Sequence, residues 1–308
     1  MRSSDADSSW QRRSYNAKEL INVRRAGCYG EYGQGRRRNA ARPEEGGPGG
    51  VARRDKGGAW KASGAEVAVA DVEDGAALER ALKGAEGAYV LLPPSFSSSQ
   101  VRVDNDRRAK TIATAVDGAD VSHIVVLSSV GAQLPDGTGP VLSLHDAEAT
   151  FSRTRAAVTF LRAAYFMENW GGSLYAVGQG ALPTFLLADK AFPMVATRDI
   201  GLAAARLLAE GGSGKRVIEL AGPHEYSPRD VAAALGRVVG KPIVVQQGPE
   251  EAMTAALMGA GMNAEWARLF QELTHGVNAG RVTWEGGHPL WRGETDVEAV
   301  LTTLVGGK

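Results

Sequence analysis

From Val51 to about Arg162 short apolar runs alternate with amphipathic stretches, and that alternation admits few folds. Ala65 to Asp71 (AEVAVAD), Gly87 to Pro94 (GAYVLLPP), His123 to Ser129 (HIVVLSS) and Ala157 to Ala163 (AVTFLRA) are apolar runs closed by turn residues. A strand apolar at consecutive positions has both faces to bury, as in a parallel sheet covered by helices. Between the runs, Ala77, Leu78, Ala81 and Leu82 share one helical face, as do Ala109, Ile112, Ala113 and Val116. LSLHDAEATFSRT supplies a third helix. The pattern predicts an α/β fold with a parallel sheet and helices on both faces over residues 51–165. Beyond Tyr165 the alternation loosens, predicting a smaller C-terminal α+β lobe over 166–308 that can add strands to the core.

Composition narrows the function classes. Thirty-five basic and thirty-five acidic residues cancel, so no global charge argues for direct nucleic-acid binding or an anionic membrane surface. The single Cys28 cannot form an internal disulfide and has no metal-ligand partner at a suitable spacing. No run approaches the roughly 20 apolar residues of a membrane span, and the first twenty residues lack a signal peptide's apolar segment. The expectation is a cytoplasmic protein with a small-molecule substrate, no metal, and a homodimer as one possible assembly.

Residues 1–50 differ from the rest. They are rich in Arg, Gly and Ser and carry almost no periodic apolar pattern, which predicts a leader without regular structure. Within them, AGCYGEYGQGRRRNA spaces Gly27, Gly30 and Gly33 as G-x-x-G-x-x-G, close to the turn that cradles a dinucleotide diphosphate in a Rossmann unit. Such a turn needs a buried strand before it and an amphipathic helix after it. Arg24 and Arg25 stand where the strand should be apolar, and RRRNAARPEEGGPGG offers charge, two prolines and four glycines in place of a helical stripe.

In open parallel sheets ligands lie outside the carboxyl ends of the strands, which singles out candidate residues. Asp71 can accept from an adenine amino group or serve the following helix as an N-terminal acid. Leu91, Leu92, Pro93 and Pro94 make an apolar, amide-poor turn that suits an adenosine wall or a plain strand exit. Ser128 and Ser129 can meet a nicotinamide or a substrate carbonyl, or cap a turn. Arg53 and Arg54 can fork onto a ribose 2'-phosphate, which would favour NADP(H) over NAD(H), or remain ordinary exposed arginines. His145 is a candidate proton donor on a helix, with a solvated histidine as the alternative. Phe166, Met167, Asn169 and Trp170 can line a flat substrate pocket or form the core of the lobe junction. No tyrosine has a lysine four residues on, so the tyrosine acid with its pKa-lowering lysine is missing.

From about Val51 onward the chain resembles the NmrA-like family of atypical short-chain dehydrogenases. The stretches that carry the resemblance are GAEVAVADVED, AYVLLPP, HIVVLSSVGA, TGPVLSLHDAE, TFLRAAYFMENW, VATRDIG, ELAGPHEYSPRDVAAAL and VNAGRVTWEGG. The resemblance implies a Rossmann core with a smaller lobe, NADP(H) or NAD(H) as cofactor, and either reduction of a small electrophile such as a quinone or non-catalytic NAD(P) sensing. It also implies a first strand entering a glycine loop, which this sequence does not spell. Back-translation offers a reason. Shifted by one base, the codons of Cys28 to Arg37 permit V-T-G-N-T-G-R-V-G, and the codons after them permit a helix-like run. Four junctions are tightly restricted, among them Tyr29 with Gly30 and Gln34 with Gly35, and all four fit. The expectation is that residues 1–50 are read out of register, with the family's frame resuming near Val51, and that the chain as written binds cofactor poorly.

Overall fold

The computed structural model describes Asn22–Arg24 as backbone alone, together with Ala68 and residues 70–306. In chain order, β1 is Asn22–Arg24, α1 Gly75–Leu82, β2 Gly87–Val90, α2 Val101–Gly118 and β3 His123–Ser129. A short 3-10 turn, Gly139–Val141, leads into α3, Leu142–Phe151, then β4, Ala157–Ala163, and β5, Tyr165–Phe166. A 3-10 stretch over Met167–Gln179 precedes β6 (Ala181–Thr184), β7 (Phe192–Val195) and α4 (Thr197–Glu210). There follow β8 (Lys215–Ala221), β9 (Glu225–Tyr226), α5 (Pro228–Val239), β10 (Val244–Gln247), α6 (Met253–Gly259), α7 (Ala264–Asn278), β11 (Leu290–Arg292) and α8 (Val297–Gly306).

The main sheet has six strands in the order β1-β2-β3-β4-β8-β11. From β2 to β11 all pairings are parallel, and β3 and β4 run in register from His123 opposite Ala157 to Ser129 opposite Ala163. Alternate residues of these strands feed two cores. Ala88, Val90, Ile124, Val126, Val158 and Phe160 meet Leu78, Leu82, Ile112, Val116 and Phe151 from α1, α2 and α3 on one face. Val125, Leu161, Ile218 and Leu220 meet Ile200, Ala203, Ala204 and Leu207 of α4 on the other. The fold is therefore an α/β parallel sheet covered on both faces, as the apolar runs predicted. The expected helical faces of α1 and α2 are the buried ones.

Asp74 caps α1, accepting from the Ala77 amide at 2.9 Å. In α5, Ser227 and Asp230 form a reciprocal capping box with Pro228 in the first turn, and Gly240 closes the helix at φ 70°. The C-terminal lobe has its own core of Met167, Trp170, Leu182, Met194, Val231, Leu235 and Leu301. Residues beyond 166 also extend the main sheet, through β8 and β11.

Two differences from the sequence reading are instructive. Asn22–Arg24, in the leader expected to lack regular structure, pairs antiparallel with β2 over Asn22 to Tyr89 and Arg24 to Gly87. An antiparallel edge strand needs only backbone groups to pair, so it does not require the apolar run that an interior parallel strand would. Of the strand expected over Ala65–Asp71, the described residues Ala68, Ala70 and Asp71 lie in no strand.

His123 opens β3 in a buried position, 4 % exposed, and neither ring nitrogen has a hydrogen-bond partner. Burial, aided by the nearby Arg216 charge, holds its pKa below the usual histidine value. The unfolded chain therefore takes up a proton near pH 6.5 that the folded chain resists, and stability falls as pH drops below that point. We expect the thermal midpoint to decline between pH 7 and pH 5.5 in the wild type and to decline less in His123→Leu, as followed by circular dichroism.

Candidate functional site

The carboxyl ends of β2, β3 and β4 lie side by side, and Leu91, Leu92, Pro93, Ser128 and Ser129 of the expected site residues lie at them. After β2 come Leu91, 37 % exposed, then half-buried Leu92 and buried Pro93, with Leu92 packing under the sheet-face core. Pro93 and Pro94 carry no N–H, so this turn presents carbon surface and few donors. Ser129 is half-buried and donates to the Val130 carbonyl at 3.0 Å. Ser128 is buried and its hydroxyl donates to Glu148 Oε1 at 2.5 Å, so it points under the strand end rather than out of it. His145, half-buried on α3, places Nδ1 at 2.8 Å from the Ala132 carbonyl in the loop leaving β3. A ring nitrogen facing a carbonyl carries the proton, which leaves Nε2 as the acceptor of the neutral ring.

Asp71 and the residues that follow β4 are the other described candidates. Asp71 Oδ1 accepts from the Glu73 amide at 3.1 Å in the turn before α1. Trp170 is 3 % exposed in the lobe core, with Nε1 at 3.5 Å from Met194 Sδ, and Phe166 packs half-buried against the α4-side core. Asn169 is exposed and bonds the hydroxyl of Tyr165. Arg53, Arg54 and the glycine turn of Gly27, Gly30 and Gly33 lie outside the described residues.

Helix α7 spans two of the strand exits. At its start, Asn263 Nδ2 donates to the carbonyls of Phe96 and Ser98 at 2.7 and 2.9 Å, while Asn263 Oδ1 caps the helix through the Trp266 amide. Trp266 Nε1 donates to the Ser95 carbonyl at 2.8 Å. These bonds fix the helix on the turn leaving β2. Farther along, α7 closes on the loop leaving β3: any Cβ at Gly139 would collide with the Leu269 carbonyl, and one at Gly276 would meet the Gly137 carbonyl at 2.7 Å. Gly139 also holds φ 56°, so glycine is required there by both space and conformation.

Beneath the exits of β3 and β4 is a buried ionic cluster. Arg162 on β4 is opposite Ser128 of β3, and its side chain is 6 % exposed. Its Nε and Nη2 bind Glu148 of α3 at 2.9 and 2.7 Å, and Nη1 binds Glu285 at 2.5 Å. Burial by itself would lower the Arg162 pKa, but the hydrogen bonds and charges of Glu148 and Glu285 outweigh it and raise the pKa. Glu285 is held below the usual carboxylate range, chiefly by its bond from Arg162. Neighbouring Glu219 of β8 accepts from the Glu285 amide at 3.2 Å. An arginine so bound keeps its proton at every working pH, so this cluster fixes geometry and does not relay protons.

Comparison with known proteins is now decisive. The NmrA-like family model matches residues 51–300. The chain belongs to the NmrA-like family. The match begins at the residue where the composition changes character. Two relatives are a (4-alkanoyl-5-oxo-2,5-dihydrofuran-3-yl)methyl phosphate reductase of Streptomyces griseus, 27% identical over 68% of this chain and 71% of its own, and an NAD(P)H azoreductase of Xenophilus azovorans, 26% identical over 69% and 72%. Among solved structures, the NADPH-dependent quinone oxidoreductase of Escherichia coli complexed with NADPH superposes with TM-score 0.69 at 25% identity, covering 82% of this chain and 88% of that one.

The sequence reading did not single out Asn263, Trp266, Glu148, Arg162 or Tyr165 for the site of this NmrA-like chain. Arg162 and Glu148 were visible as charges on an otherwise apolar strand and on a helix leading to it, a signal of a buried pair. Asn263 and Trp266 are far from the β2 turn in sequence, and no local pattern joins them to it. Arg162→Ala leaves Glu148 buried without its partner and is expected to cost about 3–5 kcal/mol, whereas Arg162→Met with Glu148→Leu recovers most of that loss. Urea denaturation midpoints of the two variants check this.

Proposed function

We propose that this NmrA-like protein is an NAD(P)H-dependent reductase of small conjugated electrophiles such as quinones, with NADP(H) preferred over NAD(H). The observation that carries the reading is the carbon-lined turn Leu91 to Pro94 beside Ser129, at strand exits roofed by α7. This turn fits the flat faces of a nicotinamide nucleotide, which are apolar and need few donors. The relatives' activities, a dihydrofuran phosphate reductase, an azoreductase and a quinone oxidoreductase, support the chemistry. The proposed preference for NADP(H) rests on Arg53 and Arg54.

When bound, the reduced nicotinamide supplies a hydride to the electrophile, and a proton completes the hydroquinone, leaving the oxidised cofactor. The chain's own contribution is orientation: Leu91, Leu92 and Pro93 form one wall, and Ser129 offers a hydroxyl at the rim. His145, anchored through Nδ1, can hold a proton on Nε2 when charged. Tyr165 has its pKa pushed up to about 12 by burial, against the opposing bond from Asn169, and therefore keeps its proton. With Asn169 rather than a lysine four residues on, Tyr165 is not poised as the acid of the tyrosine-dependent enzymes. That observation favours the second reading, a non-catalytic NAD(P) sensor.

One experiment separates these readings and tests the reading frame. The chain as written and a version that starts at the shifted codon spanning Asn22 and Val23 and is read one base out of register to Gly50 are each titrated with NADPH and then assayed with menadione. The shifted version is expected to bind NADPH at least about tenfold more tightly, because it regains amides that grip the diphosphate, and to oxidise NADPH in the presence of menadione. Binding without turnover across a quinone panel would leave the sensor. A stop codon in the shifted frame of the encoding DNA would end the frame proposal.

A further inference from the structure

Helix α7 is anchored at two places, and half-buried Phe270 lies between those anchors. Asn263, Trp266, Phe270 and Leu273 are spaced three, four and three residues apart and so share one face of the helix. Asn263 and Trp266 are fastened to the turn leaving β2, and Leu269 and Leu273 lie against Gly139 in the loop leaving β3. Phe270 lies on that face between the residues fastened to the two strand exits. Its ring lies 5.5 Å from that of Trp266 and 6.5 Å from that of Phe96, and Phe96 is 4.7 Å from Trp266. Trp266 is buried and its indole N–H is satisfied by Ser95, whereas Phe270 is only half-buried. A three-ring cluster with its polar edge turned into the β2 turn presents carbon faces and no hydrogen-bonding group.

We propose that Phe270, braced by Trp266 and Phe96, is the specificity-determining roof of the substrate subsite and selects planar aromatic electrophiles over aliphatic ones. The inference rests on the reductase reading for turnover but not for binding. Offset or edge-to-face contact with a flat ring is favourable by about 0.5–1.5 kcal/mol beyond area burial, which is close to a tenfold change in affinity at its upper end. An aliphatic enone gains no such contact. The rigid bonds from Asn263 and Trp266 keep the roof at a fixed height, so ring thickness as well as ring area is discriminated.

The test uses the full chain and menadione as probe. Without cofactor, menadione is expected to quench tryptophan fluorescence saturably through Trp266, and Trp266→Phe removes most of that quench. Phe270→Leu, which keeps packing bulk, and Phe270→Ala each shift the midpoint upward, the latter about tenfold. Phe270→Tyr restores the wild-type midpoint. In the codon-shifted version with NADPH and turnover, Phe270→Ala raises KM for menadione with kcat unchanged and leaves KM for cyclohexenone within about twofold, a split that general destabilisation would not produce. Absence of saturable quenching in the wild type, or equal midpoints in the wild type and both Phe270 variants, overturns the roof. Quenching that follows the expected order, with no NADPH oxidation by the codon-shifted version, supports the roof and defeats the reductase reading instead.

Discussion

Arg162 is the interaction on which the rest of the molecule depends. It stands on the central strand β4 with its guanidinium almost wholly removed from water, and it binds α3 through Glu148 and the segment ahead of β11 through Glu285. Three elements therefore meet on one cation, one of them 123 residues away in sequence. A buried charge tolerates little displacement, because a lost partner leaves an uncompensated ion in a medium of low polarity. Ser128 is drawn into the same cluster, which orients the end of β3 directly beneath the proposed site. The position of the strand exits is thus set by electrostatics below them and by α7 above them.

That arrangement explains why the C-terminal lobe cannot be treated as an appendage. Glu285 reaches back to β4, β8 and β11 widen the main sheet, and Asn263 and Trp266 hold the turn after β2. Val282 also lies 3.2 Å from the Cβ position of Gly131, closing the loop after β3. The core under α4 joins Val125 and Leu161 to Ile200, Leu207 and Ile218, so packing crosses position 165, and the proposed site draws on both sides of it. Movement of one against the other would have to break several of these bonds together.

The sheet and its helices were legible because their pattern is local. Ile124 and Val126 against Val125 and Leu127 state in four consecutive residues that β3 has two faces to bury, and both faces are buried. The 3.6-residue stripe of Ala109, Ile112, Ala113 and Val116 likewise fixes which side of α2 meets the sheet. The roof was not legible, because nothing within ten residues of Trp266 indicates that its indole will bond Ser95. Ser128 shows a different limit: a strand-end serine reads as a ligand group until Glu148, twenty residues on, is seen to take its proton. The edge strand Asn22–Arg24 shows a third, since antiparallel pairing at a sheet edge asks only for backbone and leaves no apolar signature.

The missing tyrosine–lysine pair fits the proposed substrate. Reduction of a simple ketone places charge on an alkoxide, which needs a strong positioned acid. Reduction of a quinone places charge on a phenolate stabilised by the new aromatic ring, so a weaker acid or water suffices. The catalytic burden then moves from proton transfer to holding two flat partners at reacting distance, for which effective concentration is the relevant gain. A roof fastened at both ends by hydrogen bonds and glycine contacts is suited to that burden, and a mobile acid would add little to it. The same economy accounts for an arginine, locked in its charged form, lying under the site where a proton relay would otherwise run.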